Sequence, residues 1–549
     1  MALRLEHLPA DVLELPQLAR AALSGRAPEG LVHFARSAED IPPCADRLAP
    51  EARTELAAVL ERELALLQPH VAVLDAARSL ARPGACAVVT GQQPGFTASP
   101  LYSLYKALSA LRLARTLTQR WETPVVALFW NHADDHDVAE VHHTYLLNRN
   151  LDLQKIALPG LSSGRTPLSQ VVLDDERARL PALHALFEQQ LRGEPALERA
   201  LQMLFPRSGE TIARAFTRAM TELLGPLGLV VVEPEWIREP LSRALAGVVT
   251  HDPYAALALG SERLAVAGFA PAIPPSDAAL LFHHERDEKG RLGRRALRAG
   301  GEGFQYDNED GSRNAAELAA EIVEDPRSWS AGALLRPLVQ DLCLPVAAYV
   351  GGWGELGYHA QLSVLRERAG APQTPFVARL SATLVDPEAR LALRLLGSDA
   401  ASVLRKRGVF ESAEEPAEPD VATRLRAVGE MAARELLAQR AALEELDPSL
   451  LAQLKKTAAQ MEEVASTLAE KARRVHGNRA GKGKRHERRV ANLLCPRGEP
   501  QERVLGPLAF VARFGTDWLE ELALEHDPFA PAHLLVHLGE DLSEGAADA

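Results

Sequence analysis

The chain has 549 residues, 47% of them apolar, and a formal charge of −13. It is too long for one hydrophobic core and suggests roughly three to four domain-sized units. The negative balance argues against a general nucleic-acid binder. The absence of an apolar run of about 18 residues argues against a membrane span.

Residues 1–84 read as an N-terminal helical segment, with an Ala/Leu-rich helix over Glu51–Leu80 stopped by Arg82-Pro83-Gly84. Ala85–Val89 reads as a short strand opening into the glycine turn Thr90-Gly91-Gln92-Gln93-Pro94-Gly95. Pro100–Arg115 then places Leu101, Leu104, Tyr105, Leu108 and Leu111 on one helical face. The apolar run Val125–Trp130 follows, so strand, loop, helix and strand make a βαβ unit. Thr211–Leu224 reads as a helix, leading to the strand Gly228–Val232. Leu344–Val350 is a further strand, closing in Gly351-Gly352-Trp353-Gly354-Glu355 before a helix from about Leu356 to Arg368. Strands that each end in a glycine-rich or acidic loop predict an α/β fold, a doubly wound parallel sheet. The predicted core is 85–160, 211–270 and 331–400. Residues 161–210 and 271–330 are inserted connecting segments, the second with hairpins around Phe282–Arg286.

Residues 401–549 are expected to form a helical arm and C-terminal helices. Leu425, Val428, Ala432, Leu436 and Leu443 step at helical spacing, as do Leu450, Leu454, Met461, Val464 and Leu468. Asp447-Pro448-Ser449 between them suits a helix start, which predicts an antiparallel coiled-coil hairpin over about 421–475. A single kinked helix is the alternative. His476–Arg485 reads as a flexible basic link, and Lys482, Lys484, Arg485, Arg488 and Arg489 form a basic cluster. The acidic end after Gly539 reads as disordered. Further helices are expected near Gln501 and Asp517. The four cysteines, Cys44, Cys86, Cys343 and Cys495, lie far apart, which fits reduced thiols and a cytoplasmic location.

The chemistry concentrates after Trp130, in Asn131-His132-Ala133-Asp134-Asp135-His136-Asp137. Ligands of open α/β sheets bind past the carboxyl ends of the strands. His136, flanked by carboxylates, suits a general base, with Asp135 or Asp137 orienting it or holding an ammonium. A helix start capped by Asp accounts for part of the pattern. His132-Ala133-Asp134-Asp135 loosely resembles the metal-binding segment of sugar deacetylases. A metal-dependent sugar amidohydrolase using His132, Asp135 and His136 is therefore the rival reading. The loops Gly91-Gln92-Gln93-Pro94-Gly95 and Gly351-Gly352-Trp353-Gly354 allow close approach of a ligand, although ordinary tight turns read the same way.

Taken together, Val88–Phe96, Pro100-Leu101-Tyr102, Tyr105-Lys106-Ala107, Phe129-Trp130, Asp135-His136-Asp137 and Glu140–Tyr145 resemble the bacillithiol biosynthesis cysteine-adding enzymes. Further matches are Leu335–Asp341, Tyr349-Val350-Gly351-Gly352, Gly354-Glu355, Ala360-Gln361-Leu362 and Gln501–Leu505. They run in the same order from about residue 85 to 515. The resemblance implies a Rossmann-like core with connecting segments and a coiled-coil arm that pairs two copies. It implies a ligase joining L-cysteine to the glucosamine amine of glucosaminyl-malate, with the cysteine carboxyl activated by ATP or another nucleotide and no metal assigned. The residues expected to bind substrate or nucleotide are Gly91, Gln92, Gln93, Gly95, Tyr105, Lys106, Tyr349, Gly351, Gly352, Gly354, Glu355 and Gln361. Two departures stand out: Trp353 stands where family members usually carry Pro, and Asn131-His132-Ala133 precedes the Asp135-His136-Asp137 core.

Overall fold

The computed structural model describes residues 3–44, 48–148, 150–161, 164–274, 279–286, 290, 292–300, 303–306, 312–410, 421–477, 481–530 and 532–541; for 474–477 and 481–483 it describes the backbone alone. The strands in chain order are β1 (Arg4–Pro9), β2 (Cys86–Gln92), β3 (Val125–Asn131), β4 (His143–Leu147), β5 (Leu153–Ala157), β6 (Val230–Val232) and β7 (Leu281–Arg286). They continue as β8 (Leu292–Gly300), β9 (Gly303–Tyr306), β10 (Trp329–Ala331), β11 (Val346–Gly351), β12 (Phe376–Ala378), β13 (Ser381–Val385) and β14 (Ala532–His537).

The central sheet has the order β12-β11-β2-β3-β6 and is parallel throughout. This is the doubly wound sheet expected from the apolar runs. Cys86–Gly91, Val125–Asn131 and Val346–Gly351 are buried along their length, as strands covered on both faces must be. The crossover from β2 to β3 is the helix Leu101–Trp121. The chain winds outward through β3 and β6, then returns to the other side of β2 as β11. The winding therefore reverses between β2 and β11, the kind of place beyond whose carboxyl ends open α/β sheets bind ligands. Thr90 Oγ1 donates to Val350 O across this point at 2.8 Å.

The inserted segment after β6 contributes a four-stranded antiparallel sheet, β10-β7-β8-β9, in place of simple hairpins. The earlier insertion carries the helices Leu180–Gln190 and Leu197–Leu204, after the β4–β5 hairpin.

Three expectations are corrected. The N-terminal segment is not all helical: Arg4–Pro9 is a strand paired antiparallel with β14. The single helix expected over Glu51–Leu80 is two, Pro50–Ala65 and Val71–Ser79. Pro69 disfavours helix at the residue before it, and Gln68 takes φ 52. The C-terminal segment is not all helix. Contacts group Met1–Asp386 with Glu499–Glu540, and Pro387–Gly498 with Asp541. In the first unit β14 lies between β1 and β13, antiparallel to one and parallel to the other. Gln501 anchors this return: its Oε1 accepts from Leu384 N–H and its Nε2 donates to Leu384 O, at 2.7 and 2.9 Å.

The second unit contains the helices Val421–Ala438, Arg440–Leu446, Leu450–Gly477 and Gly481–Leu494. Gly429 lies against Ala465, positions equidistant in sequence from Asp447, as an antiparallel hairpin requires. A Cβ at Gly429 would collide with that of Ala465, so glycine permits the close approach. The stretch read as a flexible link is helical on both sides; residues 478–480 within it lie outside the described residues, as does the acidic end 542–549. All four cysteines are buried, and none is in a disulfide. No helix among the described residues is long and apolar enough to cross a membrane.

Candidate active site

A cavity of about 240 Å³ opens at the carboxyl ends of β3 and β6, roofed by the inserted sheet. Trp130, Phe282, Trp329, Leu334 and Val339 give it apolar walls. Its charged lining is Asp134, Asp135, Arg238, Arg294 and Arg336. Asp134 and Asp135 follow β3 directly, and Arg238 starts the helix after β6. Arg238 grips Asp134 with both Nη atoms, the Nη1–Oδ2 distance being 2.9 Å. Burial raises the Asp134 carboxyl, but the Arg238 charge and hydrogen bonds outweigh it, so the group sits below its usual value. Gln93 Nε2 donates to Asp135 Oδ2 at 2.7 Å, which brings the first glycine loop to the acidic cluster. Arg294 Nη1 lies 3.5 Å from Asp135 Oδ1 and 3.2 Å from His136 Nδ1. His136 stands behind Arg294 and Phe282, one-third exposed, its ring edge-to-face with Phe282. Burial and then the Arg294 charge lower its pKa, while Asp135 and Asp137 oppose them. The imidazole is therefore neutral near pH 7.

A second cluster sits at the switch point itself. Lys106 Nζ donates to Gly91 O at 2.8 Å and to Gln92 Oε1 at 2.9 Å, and pairs with Glu355 Oε2 at 2.5 Å. Glu355 also accepts from Tyr349 OH, Tyr358 OH and Gly352 N–H, at 2.7, 2.9 and 2.8 Å. Burial pushes the Glu355 carboxyl up, yet Lys106 and these donors hold it at about 2. The pair is ionised and saturated, and it joins β2, the helix Leu101–Trp121 and the helix Trp353–Gln361 that follows β11.

The glycines divide into two kinds. A Cβ at Gly91 would lie 2.7 Å from Trp130 O and 2.8 Å from His132 Nε2. At Gly95 it would overlap Ser99 O, and at Gly351 it would press on the Phe376 ring at 2.6 Å. These three are demanded by packing. The second glycine run is a helix start and not a loop: Gly352 caps the helix Trp353–Gln361 and Gly354 lies within it, and a Cβ would meet nothing nearer than 3.6 Å at Gly352 and nothing within 4 Å at Gly354. Tyr105 is fully buried in the core, away from the cavity lining. Gln361 is a structural pin. Its Oε1 accepts from Ala272 and Ile273 N–H, and its Nε2 donates to Ser261 Oγ and Ile273 O. Asp137 is exposed and caps the short helix Val138–Val141 through the N–H groups of Ala139 and Glu140.

The metal reading meets a different geometry. Arg238 and Arg294 occupy the acids, and His132 packs beneath Gly91 with its Nε2 buried and without a hydrogen-bond partner among the described residues. Among the described residues no group of three or more His, Cys, Asp or Glu side chains converges as a ligand set.

Sequence reasoning passes over Arg238, Phe282, Arg294 and Trp329 as site residues. Arg238 stands four residues past the Pro234 turn, a signal that could have found it. Arg294 is one of several arginines on a polar hairpin, and only the pairing of β8 with β7 aims it at Asp135. Arg336 and Glu502 lie inside matched motifs without being singled out. Glu502, buried, pairs with Arg379 at 2.6 Å and accepts from Ala382 N–H at 3.0 Å.

The family model described as "Bacillithiol biosynthesis BshC, N-terminal Rossmann-like domain" matches residues 33–380. The one described as "Bacillithiol biosynthesis BshC, C-terminal coiled-coil domain" matches 382–538. The latter span takes in residues that pack with the first unit. A protein of Koribacter versatilis named "Putative cysteine ligase BshC" is 30% identical over 452 residues, 80% of this chain and 82% of its own length. One of the same name from Thermus thermophilus is 32% identical over 480 residues, covering 85% and 90%. With both domain models matched along a chain of the expected architecture, this protein belongs to the BshC family of bacillithiol biosynthesis.

Proposed function

We propose that the chain is a ligase that joins L-cysteine to the amine of glucosaminyl-malate, forming bacillithiol, with the cysteine carboxyl activated by ATP. The observation that carries this reading is the cavity beside the switch point, where guanidinium groups, a carboxylate pair and apolar walls converge. Amide formation from a free carboxylate needs activation, and a sugar amine arrives as an ammonium that must lose its proton before attack. Asp135 is the lining carboxylate able to meet that ammonium, since the other, Asp134, is held by both Nη atoms of Arg238. The substrate's malyl carboxylates suit the positive surplus of the wall, three guanidinium groups against two carboxylates. The room at Gly352 and Gly354 suits a nucleotide close to the backbone, and bound ATP would supply the carboxyl activation.

Pairing of two copies through the arm belongs to the same proposal. Val428, Met431, Met461, Val464 and Leu468 are exposed on the two long helices at spacings of three and four. Such a stripe suits a second helical pair.

The test is reconstitution with glucosaminyl-malate, isotopically labelled cysteine and ATP, followed by mass spectrometry. Bacillithiol carrying the label, with nucleotide cleavage in equal amount, is the expected result. Release of a free sugar amine from an N-acetylated precursor, with no ligation, would favour the amidohydrolase instead.

A further inference from the structure

A general base needs an accessible ring nitrogen with a free lone pair. His136 Nδ1 lies 3.2 Å from Arg294 Nη1, and a guanidinium only donates, so Nδ1 accepts. The competing arrangement, Nδ1–H donating to Asp135 Oδ1, spans 3.7 Å, beyond hydrogen-bond range. The proton of the neutral ring therefore sits on Nε2, and neither nitrogen has a lone pair left for a substrate proton. The charged groups that act on this ring are Arg294, Asp135, Asp137 and Arg165.

Arg294 itself is built into the wall. Its backbone N–H donates to Arg165 O at 2.7 Å, joining the two inserted segments. Its guanidinium lies over Phe282, 3.8 Å from the ring centroid. Nη1 serves both His136 and Asp135, while Nε is buried with no hydrogen-bond partner among the described residues. Arg238 is committed to Asp134 by both Nη atoms, and Arg336 Nη1 donates to Gln340 Oε1; Arg336 Nε, like that of Arg294, is buried with no hydrogen-bond partner among the described residues, but Arg294 is the one of the two on the inserted sheet, beside Asp135 and His136. A buried cation with an unused donor, in a wall with one surplus positive charge, calls for an anion.

We propose that Arg294 holds an anionic oxygen group of a substrate in this cavity, and that His136 is a positioning residue whose Nδ1 aims Arg294, not the base of the reaction. The choice of substrates rests on the ligase reading; the ligand chemistry, a carboxylate or a phosphate, rests on the wall itself.

Steady-state kinetics and calorimetric binding on the full chain test this, with glucosaminyl-malate, L-cysteine and ATP each varied. His136→Asn keeps an acceptor oxygen near the Nδ1 position but cannot serve as a base, whereas His136→Ala offers neither. The Asn variant should stay within about threefold of wild type, because the hydrogen bond to Arg294 survives. His136→Ala and Arg294→Met should raise KM and Kd for one substrate by about tenfold or more, with kcat changed less, as expected for loss of a charge-assisted contact. A rise confined to glucosaminyl-malate or L-cysteine identifies a carboxylate; a rise confined to ATP identifies a phosphate. Loss of kcat by about 100-fold or more in both His136 variants, at unchanged KM, would make His136 the base and overturn the proposal. So would unchanged affinity for all three ligands in Arg294→Met. If circular dichroism shows that variant unfolded, Arg294→Lys, which keeps the charge but not the fork, takes its place. A wild type that binds these ligands without forming product defeats the ligase reading while the binding comparisons still decide the role of Arg294. A wild type that binds none of them overturns both.

Discussion

At the scale of single residues, Lys106 and Glu355 show how completely matched-motif residues can be taken up by their neighbours. Both stand in matched segments and were expected to bind ligand. The structure spends them on each other, buried, with every Glu355 oxygen occupied. Removing one partner of a buried pair leaves an uncompensated charge, so Glu355→Gln should cost about 3–5 kcal/mol in denaturant unfolding at neutral pH. The pH dependence has a definite sign. The carboxyl has an ordinary value of 4.5 and sits at about 2 when folded. Its contribution is fully present above pH 4.5 and is lost as pH falls through about 2. The stability gap between wild type and Glu355→Gln should narrow over that window; a gap constant with pH would refute the assignment. Gly91→Ala is a second check. The added methyl meets Trp130 O and His132 Nε2, neither able to retreat, and overpacking of this kind costs about 1–3 kcal/mol. A thermal melt matching wild type would show that the strand can shift.

At the scale of elements, periodicity carried most of the information. The apolar runs of β2, β3, β6 and β11 are buried on both faces, and such strands announce themselves without tertiary knowledge. The arm helices were legible for the same reason, from apolar steps of three and four broken at Asp447-Pro448. β1 and β14 were not, because each is short and its meaning depends on a partner more than 500 residues away. The exposed stripe on the arm gives a test at this scale. On the proposed pairing, wild type should scatter as a dimer and the double variant Val428→Glu/Val464→Glu as a monomer, with helical circular dichroism unchanged. An unaltered mass would place the pairing surface elsewhere.

At the scale of the whole molecule, the chain closes on itself. The segment Glu499–Glu540 returns to the first unit after the arm, and β14 becomes the middle strand of the sheet β1-β14-β13. A stop after residue 530 removes that strand and leaves β1 and β13 without a common neighbour. Limited proteolysis should then cut rapidly near both strands; wild-type resistance would mean that the sheet is dispensable.

By itself the sequence determined the doubly wound sheet, the helical hairpin and the acidic His136 loop, because hydrophobic period and turn chemistry are local properties. It also carried the family, through motifs in a fixed order. Only the tertiary structure decided what those residues do. The pairing of β8 with β7 brings Arg294 to Asp135 and His136, across 158 residues of chain in the latter case. Close packing alone requires glycine at Gly91 and Gly95. Charge compensation and shared hydrogen bonds are properties of juxtaposition, and juxtaposition is set by the fold as a whole.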